Sequence, residues 1–530
     1  MPHVVTQACC GDASCVYACP VNCIHPTPEE PDFGIAEMLY IDPATCVDCG
    51  ACVSACPVGA IVPGHRLPAG QERFVEVNAT QYHDPVDGAA RFPVDPARRL
   101  PLAPIDRPRQ LAVDTSISIG IVGSGPSAMY AADELLRQPQ ISVTMYERLD
   151  RPFGLARFGV APDHLHTRKV MQLFDDIARN PRLEILLNTE VGRDLTLADL
   201  RGRHQGVIWA GGAPTDRQLA LPGFDRPGVS SATSFVGWYN GHPDFTDLDV
   251  DLDTERVVVV GNGNVALDVA RILVADPDTL AATDISRPAL ATLRASSVHE
   301  VVVMGRRGPA HAAFTLPELI GLVDSGVPVT VDAADLALPA PADLDATVRA
   351  KLEILAECAA RPEPDGRRIR LAFFTSPVEV AVGPDGRASS LIVGRNRPVL
   401  DDSGVAVGIE PTGDTTALGT GLVLTSVGYR GVAVPGLPFD DAAGVIPHID
   451  GRVLDGTEPV PGMYVTGWIK RGPSGFIGTN KTDSAQTVAS LLDDLEASDP
   501  DVSAPRRRRL FGRRPGAASP LPESTAGPLH

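Results

Sequence analysis

Four cysteines near the N-terminus have the spacing that binds iron and sulfide. They are Cys46, Cys49, Cys52 and Cys56, and Pro57 follows the last of them. Three thiols at successive two-residue spacings surround one cubane cluster, and the fourth, before proline, reaches across to a second cluster. Zinc is the alternative, but zinc sites usually use two separated Cys-x2-Cys pairs. The spacing therefore predicts iron–sulfur clusters.

An upstream segment repeats this spacing with one change, because a carboxylate replaces the second cysteine. Its four positions are Cys9, Asp12, Cys15 and Cys19. By the crossing rule, each cluster takes three ligands from one motif and one from the other. The first cluster, a 4Fe–4S cluster, is predicted to be bound by Cys19, Cys46, Cys49 and Cys52. The second is predicted to use Cys9, Cys15 and Cys56, with Asp12 at the fourth corner. Because carboxylate holds iron less firmly than thiolate, this second cluster is predicted to be 3Fe–4S, or 4Fe–4S with an Asp12 ligand.

The remaining cysteines have lesser predicted roles. Nine of the ten cysteines lie between residues 9 and 56, which favours metal binding over a disulfide framework. Cys10 could replace Cys9 if the loop shifts, and Cys23 is left over as a candidate core residue. Cys358 stands alone and is predicted to be a small, buried apolar side chain.

A first glycine-rich turn, Gly123-Ser124-Gly125, predicts dinucleotide binding. It follows a strand predicted over Ile117–Val122 and precedes a helix-like run, and Glu147 ends the next strand. A G-x-G-x-x-A turn in this context accepts a pyrophosphate, and an acid about 20 residues later accepts a hydrogen bond from an unphosphorylated ribose. This motif therefore predicts FAD or NAD.

A second turn of the same kind is Gly261-Asn262-Gly263-Asn264-Val265-Ala266. The strand that follows it, VVVM, ends not in an acid but in Arg306 and Arg307. Arginine grips phosphate in a bidentate fork, so a cation pair at this position suits the 2′-phosphate of NADP. The two turns together indicate a flavoprotein with one FAD domain and one NADP domain.

A third glycine-rich segment runs from Gly467 to Lys481 and leads into a helix predicted from about Asp483 to Leu495. Backbone N–H groups at such a helix N-terminus would face the flavin ring and stabilise reduced, anionic flavin. Ordinary core packing is the alternative for Trp468.

Residues 115–497 resemble the adrenodoxin-reductase type of ferredoxin–NADP⁺ reductase over nearly their whole length. The segments that carry this resemblance are VGSGPSA, PFGLARFGVAPDH, GNGNVALDVARIL, GRRGPAHAAFTLPEL, SVGYRG and GWIKRGPSGFIGTNK. Residues 1–62 resemble a seven-iron bacterial ferredoxin. The whole chain resembles the actinobacterial proteins in which such a ferredoxin is fused to such a reductase.

The resemblance also implies which residues form the site. It implies FAD contacts at Ser124, Glu147, Leu155, Val191, Trp468, Gly475, Phe476 and Ile477. It implies NADP contacts at Asn264, Val265, Arg306, Arg307, Glu318 and Gly475. The histidine of A-P-D-H and the aspartate of V-A-L-D are the expected catalytic residues, His164 and Asp268, which would tune flavin protonation or relay a proton.

These motifs divide the chain into an α/β protein with two Rossmann-like dinucleotide-binding domains behind a small α+β ferredoxin domain. The predicted boundaries are 1–62 for the ferredoxin domain, 63–114 for a Pro-rich linker, 115–216 plus 430–497 for the FAD domain, 217–429 for the NADP domain and 498–530 for a disordered basic tail. Within the linker, Arg73–Asn78 is predicted as a strand.

Composition narrows the classes of partner. Lys and Arg number 46 against 66 Asp and Glu, a formal net charge of −20, so nucleic acid and anionic membranes are not expected partners. No apolar run approaches the roughly 18 residues of a membrane span, and the N-terminus lacks the features of a signal peptide. A cytoplasmic protein is therefore expected.

The predicted activity is that of a ferredoxin–NADP⁺ reductase. NADPH would give a hydride to FAD, and FAD would pass single electrons to iron–sulfur clusters and to a ferredoxin, a cytochrome P450 or another acceptor. An electron-transfer subunit of a larger complex is the alternative. A flavin disulfide reductase is excluded, because residues 115–530 contain only Cys358 and hence no redox cysteine pair.

Overall fold

The computed structural model describes residues 2–83, 90–92, 102–105, 110–111, 115–338, 344–362 and 364–497. The N-terminal domain is built from two short antiparallel strand pairs and small helices. Its elements are β1 (His3–Val5), α1 (Ser14–Ala18), β2 (Ile24–His25), β3 (Tyr40–Ile41), α2 (Ala51–Ala55), β4 (Ile61–Pro63) and α3 (Arg73–Thr80). Strand β1 pairs with β4, and β2 pairs with β3.

The two cysteine motifs fold alike. Each winds through two residues in the left-handed region before its helix begins, Gly11 and Ala13 before α1 and Asp48 and Gly50 before α2. Left-handed residues turn the chain sharply, so successive side chains point inward to one centre. The repeat in sequence is therefore a repeat in structure.

The segment predicted as a strand within a linker is a helix, α3. Phe74 and Val77 are buried while Val75 is exposed, as on one face of a helix. Over so few residues, this helical spacing is easily mistaken for the alternating apolar and polar pattern of a strand. Asn78 fixes the helix, since its Oδ1 accepts from the backbone N–H groups of Val5 and Ile41 at 3.2 and 2.9 Å. The strand prediction is therefore wrong, and the folded N-terminal domain extends past residue 62.

The first dinucleotide-binding domain begins with alternating strands and helices. These are β5 (Ile117–Val122), α4 (Pro126–Leu136), β6 (Ile141–Tyr146), α5 (Leu155–Phe158), α6 (Leu165–Arg168), α7 (Val170–Ala178), β7 (Leu183–Leu186), α8 (Leu197–Arg203), β8 (Gly206–Trp209) and β9 (Thr215–Asp216).

A second α/β unit follows. Its elements are β10 (Val229–Ser231), α9 (Ala232–Tyr239), β11 (Arg256–Val260), α10 (Asn264–Val274), α11 (Pro277–Leu280), α12 (Arg287–Arg294), β12 (Glu300–Met304), α13 (Leu316–Asp324), β13 (Val329–Val331), α14 (Ala333–Leu336), α15 (Ala346–Ala360), β14 (Arg368–Ala372), β15 (Thr375–Val382), β16 (Ala388–Leu400), β17 (Ala406–Gly419) and β18 (Leu422–Thr425). Six of its strands form a parallel sheet in the order β10-β18-β11-β12-β14-β13, and β15, β16 and β17 form an antiparallel sheet.

The chain then returns to the first domain. The last elements are β19 (Tyr429–Arg430), β20 (His448–Ile449), β21 (Arg452–Asp455), β22 (Glu458–Val465), α16 (Trp468–Arg471) and α17 (Thr479–Ala497). Strand β22 lies parallel to β8 and completes a seven-stranded sheet in the order β20-β21-β22-β8-β5-β6-β7. Strands β9 and β19 pair antiparallel where the chain leaves this domain and re-enters it. Helix α17 begins four residues before the predicted start at Asp483.

The predicted α/β class is confirmed, with a small α+β domain in front. Short 3₁₀ helices occur at Pro31–Gly34, Gly64–Arg66, Pro243–Phe245 and Pro309–His311. Among the residues that the structure describes, none of the helices has both the length and the apolar composition needed to cross a bilayer.

The N-terminal domain packs against both dinucleotide-binding domains. Glu37 forms an ion pair with Lys351 on α15 at 2.6 Å and accepts from the N–H of Leu316 at the start of α13. On the other side, Val58 and Ala60 belong to one apolar cluster with the core of the β5 sheet. The cysteine loops are thereby held over the edge where the two dinucleotide domains meet.

Candidate functional site

Both glycine turns leave room for a phosphate. Gly123 and Gly261 have φ of +98° and +119°, and a Cβ there would lie 2.7 and 2.0 Å from a carbonyl oxygen of the neighbouring loop. Gly125 and Gly263 face open space, with no atom within 4 Å of an added Cβ, and each lies at the start of a helix. Open backbone at a helix N-terminus is the chemistry that a pyrophosphate requires, so both turns fit a dinucleotide.

Glu147 holds the first turn together. Its Oε2 accepts from Ser124 N–H at 3.0 Å and from Ser124 Oγ at 2.6 Å, and its Oε1 accepts from Leu149 N–H at 2.9 Å. These bonds use three of about four acceptor positions on the carboxylate, which leaves one for a ribose hydroxyl. The sequence predicted only the ribose role and missed this structural one.

Two apolar residues expected at the flavin belong to the first dinucleotide-binding domain. Leu155 begins α5 directly after Gly154, where an added Cβ would lie 3.0 Å from Gly125 Cα, and its side chain is 38% exposed. Val191 packs against the cluster that contains the ends of β5 and β6.

The third glycine-rich segment is fixed by Asp483 on α17. Its carboxylate accepts from Gly467 N–H at 2.6 Å and forms ion pairs with Lys470 at 2.9 Å and Arg471 at 3.1 Å. Trp468 packs against Tyr429 with ring centroids 5.0 Å apart. Gly475 is exposed and Phe476 and Ile477 are half-buried, so this stretch presents backbone at the surface. Asp483 was predicted only as a helix start.

The second turn lies beside an exposed cation pair. Arg306 and Arg307 are both exposed just after β12, and their carbonyl oxygens accept from Asn396 Nδ2 at 2.9 Å and from Phe374 N–H at 3.1 Å. Asn264 Oδ1 accepts from the N–H of Thr315 at 2.8 Å, and Val265 is half-buried in the first turn of α10. The backbone is fixed while the two guanidinium groups remain accessible.

The structure brings His164, Asp268 and Glu318 together from three elements. His164 Nε2 lies 3.5 Å from Asp268 Oδ1 and 3.9 Å from Glu318 Oε2. Arg271, one turn along α10, donates to Asp268, forms an ion pair with Asp163 and lies 2.8 Å from His164 Nε2. Sequence reasoning missed Arg271, although V-A-L-D-V-A-R places it on the same helix face as Asp268.

Electrostatics in this group favour a shared proton. Burial opposes charge on His164, but the Asp268 and Glu318 carboxylates outweigh it and raise the pKa of His164 above its usual value. Burial raises the pKa of Asp268 to about 7, with Glu318 adding to the rise and His164 opposing it. Arg271 can donate to His164 Nε2 only while that nitrogen carries no proton. When His164 Nε2 is protonated, His164 and Arg271 are both cations, and both compete for the Asp268 carboxylate.

Cys19, Cys46, Cys49 and Cys52 line one cavity in the N-terminal domain. Cys23 lies beside them, with its Sγ 3.5 Å from Cys19 Sγ. Hydrogen bonding from the Cys23 thiol lowers the pKa of Cys46 to about 5 and that of Cys19 to about 6. Thiolate is the form that binds iron. Cys23, predicted as core, is therefore a neighbour of two candidate ligands.

Cys9, Cys15, Cys56 and Asp12 form a second group. The Asp12 carboxylate is close enough to raise the pKa of each of these three thiols, after the larger effect of burial. Cys10 is buried in the apolar cluster shared with the β5 sheet, against which Cys9 and Cys56 also pack. Among the described residues, the only three His, Cys, Asp or Glu whose ligand atoms all lie within 4.8 Å of one another are His164, Asp268 and Glu318. No three of the described thiols are therefore close enough together to share a single zinc ion.

Comparisons with known proteins agree with this architecture. A 4Fe-4S dicluster domain matches residues 8–60, and a second description of such a domain matches residues 38–91. An NAD(P)-binding Rossmann-like domain matches residues 121–189. The fold and the site define an iron–sulfur oxidoreductase that uses a nicotinamide dinucleotide.

A probable ferredoxin/ferredoxin–NADP reductase of Mycobacterium tuberculosis is 52% identical, and the match covers 93% of this chain and 84% of that protein. The human mitochondrial NADPH:adrenodoxin oxidoreductase is 44% identical, over 72% of this chain and 79% of that protein. The structure of Mycobacterium tuberculosis FprA in complex with NADPH matches with a TM-score of 0.67 at 44% identity, over 72% of this chain and 85% of that chain. The chain belongs to the family of fused ferredoxin/ferredoxin–NADP reductases.

Proposed function

We propose that this protein oxidises NADPH and passes the electrons, through FAD, to its own iron–sulfur clusters and then to a separate ferredoxin or another one-electron acceptor, such as a cytochrome P450. When bound, FAD accepts two electrons as a hydride and releases them one at a time. The observation that carries the proposal is a contact between the first cysteine motif and the third glycine-rich segment, Gly467 to Lys481, which we call the flavin segment. In this contact, Gly478 N–H donates to Cys10 O at 2.7 Å. Cysteines that bind clusters rather than form disulfides suit a reducing compartment, the cytoplasm.

The reductase part positions both dinucleotides. Ser124, Glu147 and the backbone of the first turn would hold FAD, together with Leu155, Val191, Trp468, Gly475, Phe476 and Ile477. On the other side, Asn264, Val265 and Glu318 hold NADP, while Arg306 and Arg307 bind its 2′-phosphate. Strands β9 and β19 set the two domains side by side.

Two clusters fit the donor sets of the ferredoxin domain. Cys19, Cys46, Cys49 and Cys52 supply four thiolates for a 4Fe–4S cluster. Cys9, Cys15 and Cys56 supply three for a 3Fe–4S cluster. Cys10 stays the alternative to Cys9, because Asp12, Cys9 and Cys56 lie close enough to raise the pKa of Cys10 as well, after the larger effect of burial.

Chemical analysis combined with an anaerobic NADPH titration tests this function. We expect about seven irons for each FAD in air-purified protein. We also expect NADPH to reduce both the flavin, followed by its absorbance, and the clusters, followed by their spectroscopic signals. An oxidised 3Fe–4S cluster is paramagnetic, so electron paramagnetic resonance should detect it before NADPH is added. Clusters that stay oxidised while the flavin is fully reduced would contradict the proposed path.

His164, on the first dinucleotide-binding domain, and Asp268, on the second, would hold a proton where the two domains meet. In Asp268→Asn, burial should dominate and the pKa of His164 should fall, because the largest effect raising it has been removed. His164 would then lose its proton at lower pH than in the wild type. We expect the apparent pKa in the profile of kcat/KM for NADPH, with ferricyanide as acceptor, to move to lower pH. His166→Gln, a change of an exposed histidine two residues away, should leave the profile unchanged. A superimposable profile for Asp268→Asn would rule out this role.

A further inference from the structure

The loop that carries Asp12 makes direct backbone contact with the end of the flavin segment. A Cβ added at Gly478 would lie 2.2 Å from Asp12 N and 2.3 Å from Gly11 C. Only glycine permits so close an approach of two chains. Gly478 also donates its N–H to Cys10 O at 2.7 Å, so the ferredoxin loop and the reductase are joined at this point.

One cation of the reductase reaches the Asp12 side chain across this contact. Lys481 Nζ lies 3.6 Å from Asp12 Oδ2, 3.3 Å from Asp12 O and 3.0 Å from Ser14 Oγ. Ser14 donates both its N–H and its hydroxyl to the same carboxylate. Asp12 is only 6% exposed, so its negative charge is met by Lys481 and Ser14 rather than by water.

The position of Lys481 is unfavourable for the helix that contains it. It is the third residue of α17, and a cation in the first turn of a helix is repelled by the positive end of the helix dipole. A buried carboxylate immediately beyond the helix end offsets that repulsion. The two charges therefore stabilise each other in places where each alone would be costly.

This arrangement bears on the fourth corner of the second cluster. To bind iron, the Asp12 carboxylate would have to give up its ion pair with Lys481 and its two hydrogen bonds from Ser14. We propose that Lys481 holds Asp12 off the cluster, so that docking of the reductase keeps this cluster open at one corner. The inference rests on the proposed assignment of that cluster to Cys9, Cys15 and Cys56. Lys481 is a positioning residue, contributed by a part of the chain more than 400 residues away.

Refilling of the open corner measures this effect. An oxidised 3Fe–4S cluster, with a charge of +1, takes one electron from dithionite and becomes neutral. It then binds one ferrous ion and becomes a 4Fe–4S cluster with a charge of +2. The experiment titrates ferrous iron into the anaerobic, dithionite-reduced holoprotein. It follows iron per FAD and the loss of the 3Fe–4S resonance after reoxidation. In Lys481→Met we expect half-conversion at about threefold lower ferrous iron than in the wild type, because the ion pair with Lys481 no longer restrains Asp12.

Three variants make the result specific. Lys169→Met removes the same charge at the same domain boundary, beside Gly59 and His166, and should behave like the wild type. Lys481→Arg keeps the charge and should also remain hard to refill. Adding Asp12→Asn to Lys481→Met should abolish the easy refilling, because the freed ligand is then missing. FAD content confirms that each variant has folded, and Lys481→Gln replaces Lys481→Met if the latter loses FAD.

Asp12→Cys separates failure of this inference from failure of the cluster assignment. It should give about eight irons per FAD and no 3Fe–4S resonance, whether or not Lys481 is present. If Asp12→Cys gains no iron, the ligand assignment itself is wrong. If Asp12→Cys fills while Lys481→Met refills only at the wild-type iron concentration, the assignment stands and the role of Lys481 is refuted.

Discussion

A chain truncated to residues 111–530 should reduce ferricyanide with NADPH at nearly the rate of the intact protein, yet reduce cytochrome c at least about tenfold more slowly. The reason is that a carrier attached to the same chain works at an effective concentration near the millimolar range, which a diffusing acceptor must otherwise supply. Leu111 is kept in the truncated chain, because it is buried in the apolar cluster of the β5 sheet. Steady-state rates with the two acceptors provide the measurement.

The truncation also exposes part of the reductase core, so a point variant must accompany it. Removing the ferredoxin domain takes Val58 and Ala60 away from the β5 sheet cluster and leaves the buried Lys351 without Glu37. Cys52→Ala should disable the first cluster while the domain remains docked, and should reproduce the loss of cytochrome c reduction. Cys358→Ala, a change at a buried cysteine outside the ferredoxin domain, is the matched control. Unchanged cytochrome c activity in both the truncated chain and Cys52→Ala would place the clusters off the main path.

Features set by a few consecutive residues could be predicted from the sequence. The strand before the first glycine turn was predicted over Ile117–Val122 and occupies those residues. The α/β class followed from such alternation, because glycine turns with positive φ have a strong sequence signature. The thiols of the two cysteine motifs lie in two groups that cross between the motifs, since the spacing itself determines which side chains face one centre.

Features set by contacts between distant segments could not be predicted. Helix α3 was read as a strand, because its period becomes visible only when Asn78 is seen to bind β1 and β3. Glu147 was assigned to a ribose alone, since its bonds to Ser124 span 23 residues. No local pattern signals that Glu37 pairs with Lys351 or that Asp12 meets Lys481. The docking of the ferredoxin domain on the reductase can therefore be recognised only from the folded structure.

The wild-type protein should prefer NADPH over NADH by at least about tenfold in kcat/KM, and Arg306→Ala should erode that preference. A charge-assisted bond to phosphate contributes about 1.5–3 kcal/mol, and NADH offers no phosphate at this position. Asn396 and Phe374 hold the backbone of Arg306 and Arg307, so truncating one side chain should leave the loop in place. The loss should therefore appear mainly in KM for NADPH, as expected when binding is lost equally in the ground and transition states.

Comparison with NADH separates loss of phosphate binding from general damage. Activity with NADH should be almost unchanged in Arg306→Ala, and the double change Arg306→Ala with Arg307→Ala should bring the two coenzymes close to equality. Arg397→Ala removes an exposed arginine of the same domain that pairs with Glu410, and should leave the preference intact. Equal use of NADPH and NADH by the wild type would mean that the cation pair does not bind the 2′-phosphate. A parallel fall with both coenzymes would instead show that Arg306 supports the loop.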